Sequence, residues 1–195
     1  MTQRQLAALR LFLAAGSAAP ALWLLWAALV VRQDLGADPV KTLQVVTGLA
    51  CLNLLLVTLA ITPLRRYLKW NFLGHYRRML GLSAFAYAVV HFLIYVVFDQ
   101  SLDPRLIWDD TIEHPRIAVG AVALLLLTPL AVTSTDKMLR RLGKNWGKLH
   151  RLAYPATALG VLHYLMVQKL DLREGMIFAG VFVGLMLVRM RPRGI

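Results

Sequence analysis

Residues 77–99 read RRMLGLSAFAYAVVHFLIYVVFD. Two arginines open the stretch, Asp99 closes it, and the twenty residues Met79–Phe98 between them carry no formal charge. At about 1.5 Å per residue this run makes a helix roughly 30 Å long, the thickness of a hydrocarbon core. A soluble helix of that length would keep one polar face. Here the interior holds one imidazole, His91, in an otherwise apolar run.

Outward from this segment the same pattern recurs. Further apolar runs cover Leu9–Val31, Leu43–Pro63, Ile117–Val132, Leu152–Val167 and Met176–Val188, separated by short polar stretches. Hydrophobic residues make up 58% of the chain and charged ones 16%, and the charges sit in blocks between the runs. The expectation is an all-α membrane protein: a six-transmembrane-helix bundle forming one domain over residues 1–195, with no tandem repeat. The first run is too long for a secretion signal, and it passes Trp23 and Trp26 without a small-residue cleavage site, so it is expected to be a retained helix. Cys51 is the sole cysteine, which excludes a disulfide, a thiolate cluster and covalent heme attachment through a Cys-x-x-Cys-His motif.

The net charge of +12 suggests a nucleic-acid binder until its placement is read. Alternate loops and the two ends carry sixteen basic residues against Asp136 alone, whereas the remaining loops carry six against nine acids. The positive-inside rule then places both termini in the cytoplasm, and topology accounts for the charge. Tight loops and an uncleaved first helix suit a bacterial inner membrane. The acidic stretch Asp99–Glu113 falls on the periplasmic side, where it is either a docking surface or simple exclusion of positive charge.

An ionisable group within a span is costly and marks a functional hypothesis. His75 and His114 fall in loops, where a solvated role suffices. His91 and His163 fall inside spans. His91 lies 13 residues past Arg78 and His163 lies 13 past His150, so both imidazoles sit about 20 Å above the cytoplasmic surface on parallel helices. Two imidazoles at equal depth suit the axial positions of a b-type heme, whereas a single histidine would be read as hydrogen-bonded to a neighbouring helix. Ala156 and Gly160 share the face of His163 and leave room for a flat macrocycle; Tyr87 and Tyr95 flank His91.

His150 stands at the cytoplasmic mouth of the fifth span. The positions that would pair with it on the third span hold Arg77 and Arg78, which suit a propionate or a flavin phosphate better than iron. On an ideal helix His150 would point some 140° away from His163, unless Pro155 re-phases the turn. No Walker loop, Gly-x-Gly-x-x-Gly or nucleophile elbow appears, so no pyridine nucleotide is expected to bind within this chain.

The stretches Leu35–Lys41, Ile61–Leu64, Arg77–Leu82 leading to His91, Thr133–Trp146, and Leu149–Tyr154 leading to His163–Leu165 carry a resemblance. In order and spacing they resemble the MsrQ family, the heme-binding membrane subunits of bacterial MsrPQ methionine sulfoxide reductase systems. More distantly they resemble the ferric-reductase-like transmembrane domain shared with NADPH oxidases. The resemblance implies an electron-transfer subunit that takes electrons from the quinone pool, passes them through one or two b-type hemes, and delivers them to a periplasmic molybdopterin reductase. It implies flavin mononucleotide as a further cofactor, and His91, His150 and His163 as heme-associated residues. Fuller members of the superfamily carry two histidines on each of two helices; this chain has Arg77 and Arg78 where the fourth would stand. The alternatives are a self-standing metalloreductase acting on ferric or cupric ions, and a non-redox transporter with broken helices around a midplane site.

Overall fold

Proline and aspartate set the helix starts. Asp38 precedes Pro39, and its carboxylate accepts the Lys41 amide at 3.0 Å, capping α2 (Pro39–Tyr67). Asp103 and Pro104 repeat the device at α4 (Pro104–Glu113), where Asp103 accepts the Arg105 amide at 2.8 Å. The computed structural model describes residues 3–27, 36–168 and 171–190. Among these, the remaining helices are α1 (Gln3–Trp26), α3 (Arg77–Ile94), α5 (Pro115–Val132), α6 (Asp136–Leu142), α7 (Lys144–Leu149), α8 (Ala153–Val167) and α9 (Arg173–Met190), and no strand occurs.

All six apolar runs of the sequence form helices. α1, α2, α3 with its continuation, and α5 are long and apolar enough to cross a membrane. At 15 residues α8 is shorter than the roughly 20 a perpendicular span requires, and the 18 residues of α9 include Arg173, Glu174 and Arg189. The last part of the first run, residues 28–31, lies outside the described residues, as do Arg32, Asp34, Leu35, Lys169, Arg191 and Arg193. Large apolar side chains point outward: Phe12 is 74% exposed, Leu125 69% and Ile177 66%. A surface of that kind suits lipid rather than water.

α2 pairs with α3, and α5 pairs with α8; α1 and α9 flank these two pairs. The central contact joins Leu55, Ala84, Leu127, Leu130 and Ala156, drawn from all four inner helices. Ala84 and Ala156 are fully buried, so small side chains set the close approach. Although the sequence shows no tandem repeat, the inner helices are built twice. Leu55 and Leu127, Ala84 and Ala156, and His91 and His163 each stand 72 residues apart in equivalent contacts. Few residue types survive between the copies, which is why the repeat escapes a reading of the sequence.

Two loops of the sequence reading contain helices. The acidic stretch forms α4, and His114, expected as a solvated loop residue, is half-buried between α4 and α5 with Nδ1 2.7 Å from the Asp110 carboxylate. The basic stretch forms α6 and α7 around Gly143, whose φ of +49 turns the chain between them. A 3-10 turn, His150–Leu152, then leads into α8. Pro155 sits in the first turn of α8, where its missing N–H leaves no ladder bond unmade, so it does not kink the helix. His150 precedes α8 rather than sharing its helical face with His163.

α1 is tied to the bundle through Tyr87. Pro20 interrupts the α1 ladder, and the Tyr87 hydroxyl enters there, donating to the Ser17 carbonyl at 2.7 Å and accepting from the Ala21 amide at 3.1 Å. Tyr87→Phe removes both of these contacts between α3 and α1. It should cost roughly 1 kcal/mol, read as a lower midpoint in detergent unfolding; an unchanged midpoint would show that the hydroxyl does not hold α1.

Candidate functional site

α3 and α8 bring His91 and His163 face to face. Their ring centroids are 6.1 Å apart and the ring planes cross at 85°. Each ring is held the same way by the other helix of its pair. His91 Nδ1 lies 3.0 Å from the Gln44 carbonyl of α2, and His163 Nδ1 lies 2.7 Å from the Arg116 carbonyl of α5. A carbonyl only accepts, so Nδ1 carries the proton in both rings and Nε2 keeps a free lone pair. The Thr47 hydroxyl adds a contact to His91 Nδ1 at 3.4 Å.

Glycine makes both approaches possible. Gly48 stands four residues after Gln44, and Gly120 four after Arg116, where a side chain would flank the carbonyl the imidazole needs. A Cβ at Gly48 would lie 3.1 Å from His91 Cε1; one at Gly120 would lie 2.9 Å from His163 Nδ1. The sequence reading missed these four positions. The signal available was that Gly48 and Gly120 share the 72-residue offset of the two histidines.

The histidines line a cavity of about 640 Å³ between the inner helices, within the roughly 300–1,000 Å³ usual for small-molecule and cofactor sites. Ala156 and Gly160 line it as the sequence suggested, together with Leu52, Leu55, Cys51 and Leu127. Its mouth, at the α4 end, is polar: Asp38, Lys41, Gln44, Tyr95, Asp99, Gln100, Asp110 and Arg116. Tyr95 and Gln100 donate to Asp110 at 2.8 and 2.7 Å, and the Gln44 amide donates to Asp99. Tyr87, by contrast, faces α1.

His150, Arg77 and Arg78 do not line this cavity. His150 stacks on Trp146 with ring centroids 3.8 Å apart, and its Nε2 lies 3.1 Å from the Thr133 hydroxyl. Burial and the neighbouring Arg77 guanidinium lower its pKa, so the neutral ring is favoured. Arg78 is exposed and bonded to Asp136 at 2.7 Å. Arg189 reaches inward from α9 to the Tyr154 hydroxyl and the Leu59 carbonyl. Among the described residues, no three His, Cys, Asp or Glu side chains cluster as metal ligands. A metal between His91 and His163 would therefore need its other ligands from a cofactor.

The fold and site together describe a helical membrane protein with two facing imidazoles beside a largely apolar cavity between its inner helices. Residues 46–161 match the family model described as ferric reductase like transmembrane component. Three curated relatives are each called protein-methionine-sulfoxide reductase heme-binding subunit MsrQ. The protein of Rhodospirillum rubrum is 48% identical, covering 89% of this chain and 83% of its own length. That of Brucella anthropi is 44% identical over 89% and 78%, and that of Xanthomonas axonopodis pv. citri 46% over 84% and 76%. The chain belongs to this MsrQ family of ferric-reductase-like membrane proteins. No solved structure gives a significant match.

The glycine cradle makes an ordered prediction. Replacing a helical glycine by alanine ordinarily gains up to about 1 kcal/mol, whereas overpacking costs about 1–3. Gly180→Ala, with open space around it, should be neutral or stabilising; Gly48→Ala should be mildly destabilising and Gly120→Ala the most. Detergent unfolding midpoints rank the three, and a Gly120→Ala midpoint at or above that of Gly180→Ala would sink the cradle.

Proposed function

We propose that this chain is the membrane electron-transfer subunit of a protein-methionine-sulfoxide reductase system, holding a b-type heme between α3 and α8 with His91 and His163 as axial ligands. The observation that carries this reading is the pair of facing imidazoles, each with Nδ1 on a backbone carbonyl and Nε2 free. Metal–imidazole bonds of about 2.0–2.1 Å on opposite sides of one ion put the two ring centroids roughly 6 Å apart. The separation of 6.1 Å agrees with that spacing. Donation from Nδ1 to a carbonyl is the usual arrangement behind a metal-bound histidine, because it fixes the ring and raises the basicity of the other nitrogen. When bound, the heme supplies a reversible one-electron couple. The protein's own part is to hold both rings, exclude water with leucine and alanine walls, and leave a polar mouth at one end.

In this reading α1, α2, α3, α5, α8 and α9 are six spans of a bacterial inner-membrane protein, and both termini are cytoplasmic. Basic residues of α6, α7 and the α2–α3 connection mark the cytoplasmic end, and the acids around α4 mark the periplasmic end. The heme cavity then opens towards the periplasm, where a molybdopterin methionine sulfoxide reductase would collect electrons originating in the quinone pool. A second, inner heme or a flavin mononucleotide would sit by His150. Arg77 rather than Arg78 is the guanidinium left to meet its anionic group, because Arg78 is engaged by Asp136.

Reduced-minus-oxidised visible spectra of the purified protein test the assignment. His91→Ala and His163→Ala should each remove the low-spin b-type signal of the outer heme, and His150→Ala should leave it in place. Retention of that signal in both the first two variants would overturn the ligand pair. Reoxidation of the reduced protein by the periplasmic reductase, against ferric chelates as comparison, tests the direction of flow.

A further inference from the structure

Three acids and two cations ring the mouth of the histidine cavity, and they are engaged differently. Asp38 accepts the Lys41 amide as the α2 cap. Asp99 accepts the Gln44 side chain, and Asp110 accepts Tyr95 and Gln100 and lies 2.7 Å from His114. Each carboxylate is thus already served by donors from its own surroundings. The cations are not. Among the described residues, neither Lys41 nor Arg116 has a carboxylate within ion-pairing distance. Arg116 is half-buried, and Lys41 sits across the same opening. Away from this end the walls are apolar.

A cavity that is apolar along its length and carries its cations at its mouth, with the carboxylates there already hydrogen-bonded to neighbouring donors, accepts an amphipathic anion in one direction. Given the heme assignment above, on which this step rests, we infer that Arg116, with Lys41 opposite it, binds the propionate carboxylates and so fixes the heme with its propionate edge at the α4 end and its apolar edge against Leu55 and Leu127. A guanidinium pairs with a carboxylate through two parallel N–H donors, which an ammonium cannot do, so Arg116 is the principal partner and Lys41 the weaker one. Arg116 then serves the cofactor twice. Its carbonyl holds the His163 ring and its side chain would hold the propionates, so one residue at the start of α5 would bear on both the histidine and the cofactor it faces.

The test is the midpoint potential of the outer heme in the intact purified protein. Arg116→Gln keeps the backbone carbonyl, so the low-spin spectrum persists, while loss of a positive charge beside the propionate disfavours the reduced state. The reduction equilibrium should shift about tenfold, or about 59 mV downward for a one-electron couple, with a smaller shift in Lys41→Gln. Arg116→Lys should recover part of it. Arg105→Gln, which removes an exposed cation at the same end but outside the cavity lining, should leave the potential in place. Reconstitution with heme dimethyl ester, whose propionates carry no charge, should change the size of the Arg116→Gln shift, because no carboxylate then offsets the guanidinium. Loss of heme in Arg116→Gln with retention in Arg116→Lys also supports the contact. Shifts in Arg116→Gln and Lys41→Gln no larger than in Arg105→Gln, loss of heme in Arg116→Gln that Arg116→Lys does not restore, or a shift unchanged in the ester, overturn this inference alone. An unsubstituted protein without a b-type spectrum overturns the heme assignment and this step with it.

Discussion

A backbone carbonyl within a helix normally has one duty, the N–H four residues on, and here two carbonyls take a second. Gln44 O and Arg116 O each lie within hydrogen-bond distance of an imidazole from the neighbouring helix. In water such a bond would compete with solvent and contribute little; among apolar side chains it has no competitor. The consequences run in both directions along the chain. The helix pairs must approach closely enough for an imidazole to reach past side chains to a backbone oxygen, which demands glycine at positions 48 and 120 and small residues at 84 and 156. Once that approach is made, ring orientation is no longer free, and both Nε2 atoms are left without a protein partner beside a cavity.

The two halves of this arrangement are copies in geometry. Carbonyl, glycine four residues later, and histidine 47 residues after the carbonyl recur in α2–α3 and α5–α8. A single copy would hold one imidazole against one wall, which is an ordinary satisfied histidine. Two copies packed through Leu55, Ala84, Leu127 and Ala156 place the imidazoles opposite one another and generate the cavity between them. The facing-imidazole geometry is therefore a property of the packing of two helix pairs, and neither pair carries it alone.

This explains what the sequence reveals and what it hides. Run length and charge placement locate all six apolar helices to within a few residues, because hydrocarbon thickness and backbone satisfaction leave little choice. The equal depth of His91 and His163 is legible for the same reason: helical rise converts residue counts into distance. Lateral relations are not legible. Nothing in the composition says that Gln44 and Arg116 contribute through their backbone, since a carbonyl has no residue identity. Nor does an apolar period reveal α4, α6 and α7, which are short and amphipathic and lie outside the runs. His150 stands at the mouth of the fifth run as its position in the sequence suggests, but the 3-10 turn that carries it, His150–Leu152, has no signature in an apolar period.

The repeat also explains why the inner end differs from the outer one. Arg78 stands 72 residues before His150, so the two occupy equivalent places in the two copies. At the outer end both copies keep histidine, and the pair faces one cavity. At the inner end one copy presents an arginine that is turned outward onto Asp136, and the other presents a histidine stacked on Trp146 with its Nε2 at the Thr133 hydroxyl. Any ligand bound there would have to displace the Thr133 contact and recruit its second partner from outside the repeat. Arg77, one residue before the equivalent position, is close enough to add to the effect of burial in lowering the His150 pKa. The same fold thus pairs like residues at one end and unlike ones at the other, where His150, Thr133 and Trp146 stand opposite Arg78, Ile61 and Gly74 in the 72-residue register.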